Sequence, residues 1–154
     1  MPETLCGFND QPNGASGAEM LAAWGPTLLV DIGFDPNYKS EPPFVVPKAG
    51  ISGIHALVDT GAGESCIDSL LAGQLNLPIV DRRPISGVHG SLLVNMYLAQ
   101  IHVPSLLFTI HGAFAGVELA AGGQVHKALI GRTFLQNFTM LYEGMTGAVK
   151  ISRP

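Results

Sequence analysis

The sequence predicts a mainly β domain, and three observations carry that reading. Charged residues make up 13% of the chain against 47% hydrophobic, so much of its surface must be weakly polar. The 154 residues include 19 Gly and 11 Pro, a density of turn formers that helical bundles do not tolerate. Apolar residues fall in short Val/Ile/Leu runs bounded by Gly or Pro. The length suits one domain with a single core.

Along the chain, residues 1–25 are polar and rich in Gly, Asn and Pro, and read as a flexible arm with a short helix around residues 18–24. Trp24 reads as the anchor of that arm. The domain then spans residues 26–154. Residues 26–33 read as its first strand, and residues 34–50, with four prolines and no period, as a loop. Residues 53–58 form an apolar run that ends at Asp59-Thr60-Gly61-Ala62-Gly63, a buried strand entering a tight loop. Over residues 65–75 the apolar positions 67, 70, 71 and 75 share one face of a short helix, closed by Pro78. Asp68 falls on its polar side and reads as solvated.

Residues 84–91 read as a glycine-bearing hairpin tip, followed by strands at 92–99 and 100–103 and strand candidates at 106–114 and 116–119. Residues 120–124 make a turn. Ala128-Leu129-Ile130-Gly131 is a second buried strand meeting a glycine, with a helical turn over 132–137. Residues 138–142 and 147–151 make a terminal hairpin. No internal repeat is present.

Charge and composition exclude several functions. The formal net charge is −4, and of the eight Lys and Arg only Arg82 and Arg83 adjoin, so no basic stripe exists for a nucleic-acid backbone. The first residues lack a basic start followed by an apolar stretch, and no apolar run approaches a membrane span. A soluble, cytoplasmic protein is expected. Cys6 and Cys66 lack metal or redox spacing and read as idle thiols. None of the five histidines (55, 89, 102, 111 and 126) has metal-ligand spacing, so neither a metal nor a cofactor is expected.

The chemistry centres on Asp59. Ala56, Leu57 and Val58 deliver a carboxylate to the end of a buried strand, where it is costly unless paired, hydrogen-bonded or needed. The Thr60 hydroxyl can donate and accept, and Gly61 lets backbone approach the carboxylate. Two such carboxylates facing each other across a symmetry axis would share one proton, one acting as base toward a water and the other as acid toward a carbonyl.

Leu57-Val58-Asp59-Thr60-Gly61-Ala62, followed by Ser65 and Ile67, resembles the active-site motif of the retropepsin-like aspartic peptidases. Leu129-Ile130-Gly131-Arg132 resembles that family's second signature, whose arginine buttresses the active-site loop. Ser86-Gly87-Val88-His89-Gly90 stands where the family carries its flap over the peptide. The likeness runs in order from about residue 27 to 151. It implies a closed acid-protease β-barrel with one or two short helices, hydrolysing peptide bonds without metal or covalent intermediate. Thr60 and Gly61 would hold the catalytic loop, and Ala62, Gly63 and Glu64 would join the flap in gripping an extended peptide. Gly63 and Glu64 depart from the family, which often has Asp, Ser or Asn after the alanine; Glu64 would then serve Arg132 from a shifted position. The helical stretch after Ser65 is closer to bacterial and pepsin-lobe relatives.

The reaction needs two such aspartates and the chain carries one, which implies a C2 homodimer. By the same resemblance, the terminal hairpin with Val149 and Ile151 would be the intersubunit sheet. The alternative is a catalytically silent module of the same fold that dimerises or binds peptide.

Overall fold

The computed structural model describes residues 2–87 and 90–154. It is mainly β, as the composition predicts. Strands β2 (Thr27–Gly33), β3 (Ile51–Val58), β4 (Cys66–Asp68), β5 (Ile79–Gly87), β6 (Gly90–Val103), β7 (Phe108–Val117) and β8 (Ala128–Ile130) form one sheet in the order β2-β3-β8-β4-β7-β6-β5. A further pairing of β2 with β6, Asp31 opposite His102 through Gly33 opposite Gln100, returns the sheet on itself. A second sheet sets β10 (Ala148–Ser152) between β1 (Glu3–Leu5) and β9 (Thr139–Glu143).

Residues before 26, read from sequence as an arm, supply β1 and helix α1 (Gly17–Trp24). Ser16 caps α1 reciprocally: its Oγ accepts from Glu19 N–H at 3.0 Å while Ser16 N–H donates to Glu19 Oε1 at 3.1 Å. Leu21, 2% exposed, anchors the helix; Trp24 is 44% exposed and does not, because it lies on the outer face of the last turn. At Gly17 and Gly147 (φ +86°) the start of α1 and the β9–β10 turn meet backbone to backbone, with no room for a Cβ on either.

Where the sequence suggested separate strands at 92–99 and 100–103, a single strand runs. β6 spans 14 residues, roughly 45 Å of extended chain. Its first half pairs with β5 as an exposed hairpin, and its second half is buried between β7 and β2. The candidate at 106–114 also starts later. Pro104–Leu106 is a 3-10 turn that exits through Leu107 in the left-handed region (φ 50°) before β7 begins.

The helix expected over 65–75 is shorter. Cys66–Asp68 is strand, held by β7 and β8, and only Ser69–Gln74 (α2) is helical. The strand register aims Ile67 into the core at 0% exposure, and α2 buries Leu71 and Ala72 while Leu70 faces solvent. Asp68, expected in solvent, is 2% exposed. Its Oδ2 accepts from Leu71 N–H as the cap of α2, and its Oδ1 accepts from Leu119 and Ala120 N–H at 3.1 and 3.0 Å.

The core gathers Val30, Ile32, Ile101, Ile130 and Phe134, all 0% exposed. Around Phe134 of helix α3 (Arg132–Leu135), Phe108 and Phe138 pack at ring distances of 5.6 and 4.7 Å. Val149 (1% exposed) and Ile151 (0%) belong to this interior. β10 is hydrogen-bonded along both edges by its own chain, β1 on one side and β9 on the other, and the side chains of Val149 and Ile151 turn inward. Among the described residues no helix is long and apolar enough to cross a membrane.

Candidate active site

Two parallel strands, β3 and β8, end side by side, with Val58 opposite Ile130. Asp59 N–H continues that pairing by donating to Ile130 O at 2.9 Å. The chain then turns sharply. Gly61 N–H donates to Asp59 Oδ1 at 2.9 Å, and Ala62 N–H reaches back to Asp59 O at 3.2 Å. A Cβ on Gly61 would stand 3.1 Å from the same Oδ1, so glycine is what lets the backbone reach the carboxylate. Asp59 itself is half-buried, at the rim of the core rather than within it.

Ile130, Gly131 and Arg132 form the second wall of the site. Gly131 is buried, and a Cβ there would lie 2.7 Å from the Glu64 carbonyl group. Its N–H donates to Ser65 Oγ at 3.0 Å, both groups being buried. Arg132 N–H donates to Ala62 O at 2.9 Å and Thr133 N–H to Gly63 O at 3.0 Å. The Arg132 Nη1 donates to Thr60 O at 2.7 Å. Backbone and side chain of Arg132 thus clamp the loop at two carbonyls. The sequence singled out Ser65 as part of the motif but gave it no role; its signal was a small hydroxyl placed between the polar loop and buried Ile67.

Glu64 was expected to serve Arg132. Among the described residues no ion pair joins them: Arg132 Nη1 donates to the Thr60 carbonyl, and Glu64 is exposed. Glu64 thus presents a second, exposed carboxylate on the loop that follows Asp59. Both charges reach Cys66: burial first, then Asp59 and Glu64, push its thiol above the ordinary value.

Ser86, Gly87 and Gly90 lie exposed at the end of the β5–β6 hairpin, where Gly87 pairs with Gly90. Val88 and His89 fall outside the described residues. No hydrogen bond ties Ser86, Gly87 or Gly90 to the Asp59 loop among the described residues. The connection runs through the base of the hairpin. Val94, Met96 and Ala115 form a second apolar cluster with Ile85, Val117 and Cys66, the last directly following the Asp59 loop. Alternating apolar residues at 94 and 96 were the available signal for that wall. Among the described residues no three His, Cys, Asp or Glu side chains converge as metal ligands would.

A lone carboxylate with one oxygen held by a backbone N–H and the other without a hydrogen bond among the described residues can accept or donate a proton, one role at a time. No family model and no curated protein matches the chain. Among solved structures it is similar to the EIAV protease complexed with the inhibitor HBY-793, at 18% identity over 72% of this chain and 85% of that one, with a TM-score of 0.44.

Proposed function

We propose that this chain is an aspartic endopeptidase that works as a homodimer, Asp59 of each subunit forming the catalytic pair. The observation that carries the reading is the construction around Asp59: a carboxylate presented at the rim of the core, one oxygen held by Gly61 N–H, in a loop pinned by Ser65, Gly131 and Arg132. So rigid a mount fits a group that must be positioned to act.

In the dimer the two carboxyls share a proton, since like charges a few ångströms apart resist double ionisation. The ionised member takes a proton from water as its oxygen attacks the peptide carbonyl carbon. The protonated member gives its proton to the carbonyl oxygen. As the gem-diol collapses and the C–N bond breaks, the protonated member gives its proton to the departing nitrogen and the ionised member takes one from a gem-diol hydroxyl, so the pair again holds a single proton. Thr60 and Gly61 hold the loop. Ala62, Gly63 and the exposed Glu64 face the substrate from below, while Ser86, Gly87, Val88, His89 and Gly90 close over an extended peptide by strand-like hydrogen bonds.

Cleavage of a diverse peptide mixture from about pH 4 to about pH 8 tests this, with wild type and Asp59→Asn compared. The expected result is an optimum on the acid side and a loss of about a thousand-fold or more in the variant, with its melting curve unchanged. No Asp59-dependent cleavage by a folded dimer would leave only a peptide-binding or dimerisation module.

A further inference from the structure

Away from Asp59, a cavity of about 480 Å³ opens between the loop over residues 34–50 and the strands β6 and β7. None of its lining residues belongs to the Asp59 loop, to the Gly131–Arg132 wall or to the glycine hairpin tip. The loop that covers it is pinned. Asp35 N–H donates to Gln100 Oε1 at 2.7 Å, Lys48 N–H to Asp35 Oδ2 at 2.9 Å, and Gly50 N–H to Ile32 O at 2.9 Å. Tyr38 lays its ring against His111 of β7, with centroids 5.6 Å apart. Yet this anchored loop presents Phe44, Val45 and Val46 at 76, 65 and 61% exposure, and all three line the cavity. Three consecutive apolar residues held in water on a pinned loop mark a surface with a use beyond packing its own chain.

Strand alternation supplies the polar part of the lining. Ile101 and Val103 turn into the core, so His102 between them turns to the other face, beside its register partner Thr109. His102 is 6% exposed. Its Nδ1 meets Thr109 Oγ1 at 2.8 Å, and among the described residues its Nε2 makes no hydrogen bond. The preceding residue, Phe108, holds the Arg153 guanidinium 5.2 Å above its ring, and Phe138 lies 5.9 Å from the same carbon. The rings engage the flat face of the guanidinium, and among the described residues no carboxylate pairs with its N–H rim. The start of β7 thus carries a cation at one residue and an imidazole at the next. No Asp or Glu lines the cavity among the described residues, although the chain has a net charge of −4.

We propose that this cavity binds a small aliphatic monocarboxylate, with its headgroup on Arg153 and His102 and its chain against Phe44, Val45, Val46 and Leu107. A guanidinium with its face already stacked offers a preorganised pair of donors to a planar carboxylate. With Thr109 donating to Nδ1, the Nε2 of a neutral imidazole bears the proton and donates as well. One fixed positive charge matches one negative charge, and the apolar lining requires a hydrocarbon body. The site does not depend on the peptidase reading.

Titration of isotope-labelled protein with octanoate at neutral pH, followed by amide NMR, tests the proposal. The Val45, Thr109 and His111 signals should shift saturably while those of Gly61 and Gly131 stay in place. Octanamide, which lacks the charge, and butyrate, which is four methylenes shorter, should each bind at least about 10-fold more weakly. Arg153→Gln and Val45→Asp, both at exposed positions, should stay folded and each weaken octanoate by about 10-fold or more, the first by removing the cation and the second by repelling the anion. Asp59→Asn should bind octanoate as tightly as wild type, whether or not the chain cleaves peptides. Absence of a saturable shift, equal binding of octanamide, indifference to both substitutions, or shifts centred on the Asp59 loop would each overturn the proposal. Tighter binding of acetyl-Leu-Leu-Phe, with its free C-terminus, at the same amides would give the site to peptide carboxylates and overturn the aliphatic acid.

Discussion

Ser65 illustrates how a single hydroxyl fixes the geometry of the candidate site. It is 1% exposed, and its Oγ is the acceptor recorded for the buried N–H of Gly131. Ser65→Ala leaves that donor unpaired among packed atoms, and the expected cost is about 1–3 kcal/mol, read as a lowered urea midpoint with unchanged slope. Cleavage should fall with it, because Gly131 and Arg132 pin the loop that carries Asp59. Gly131 itself cannot be replaced without a shift of backbone, because a Cβ there would lie 2.7 Å from the Glu64 carbonyl group. At this scale the sequence was informative: Asp59, Gly61, Gly131 and Arg132 stood out by residue type and order. The Glu64–Arg132 pairing did not follow, since whether a guanidinium meets a carboxylate or a backbone carbonyl depends on a loop path that spacing does not specify.

Among the elements, β4 and α2 show why periodicity misled. Apolar positions 67, 70, 71 and 75 fit one helical face, but β7 and β8 capture residues 66–68 as a strand, and the pattern then spans two elements. The switch is made by Asp68, which satisfies the first turn of α2 and two N–H groups after β7 at once. Asp68→Ala should therefore cost about 3 kcal/mol, from a lost cap and unpaired buried donors together, measured as a shift in thermal or urea midpoint. Loss no greater than that of an exposed carboxylate would deny Asp68 this joint role. The long β6 was split in the sequence reading for a related reason. The break expected between residues 99 and 100 is absent because pairing with β7 runs unbroken from Met96 to Val103.

For the whole molecule, buried titratable groups set the pH range of stability. Burial holds the His102 and His126 imidazoles below their ordinary 6.5; the charge of Asp31 works against this at His102, and His55 adds to it at His126. The unfolded chain then binds more protons than the folded one just below 6.5, so stability rises with pH through that window and is lost as pH falls from 6.5. At the other end, burial pushes the Cys6 thiol from 9.0 up to about 11, so stability declines as pH rises above 9.0. Melting temperature against pH should therefore show a plateau between these limits. His126→Gln, which can keep a hydrogen bond to Thr27, should flatten the acid limb. An unchanged acid limb would remove His126 from the account. A peptidase with an acid optimum would then work where its fold is already weakening.

The sequence by itself determined the β class, the strand ends that carry Asp59 and Gly131, and the glycine-rich hairpin beyond Ile85, because each is written locally: short apolar runs, breakers, and residues whose backbone freedom a tight loop demands. Tertiary structure alone decided that β10 lies inside its own sheet, that Asp68 is buried as a three-way acceptor, and that β9 is left as an unprotected edge. Those outcomes turn on which segments distant in sequence compete for the same hydrogen bonds and the same apolar cover. The strand that wins a neighbour on both sides is core, and the one that loses becomes surface, whatever its own residues prefer.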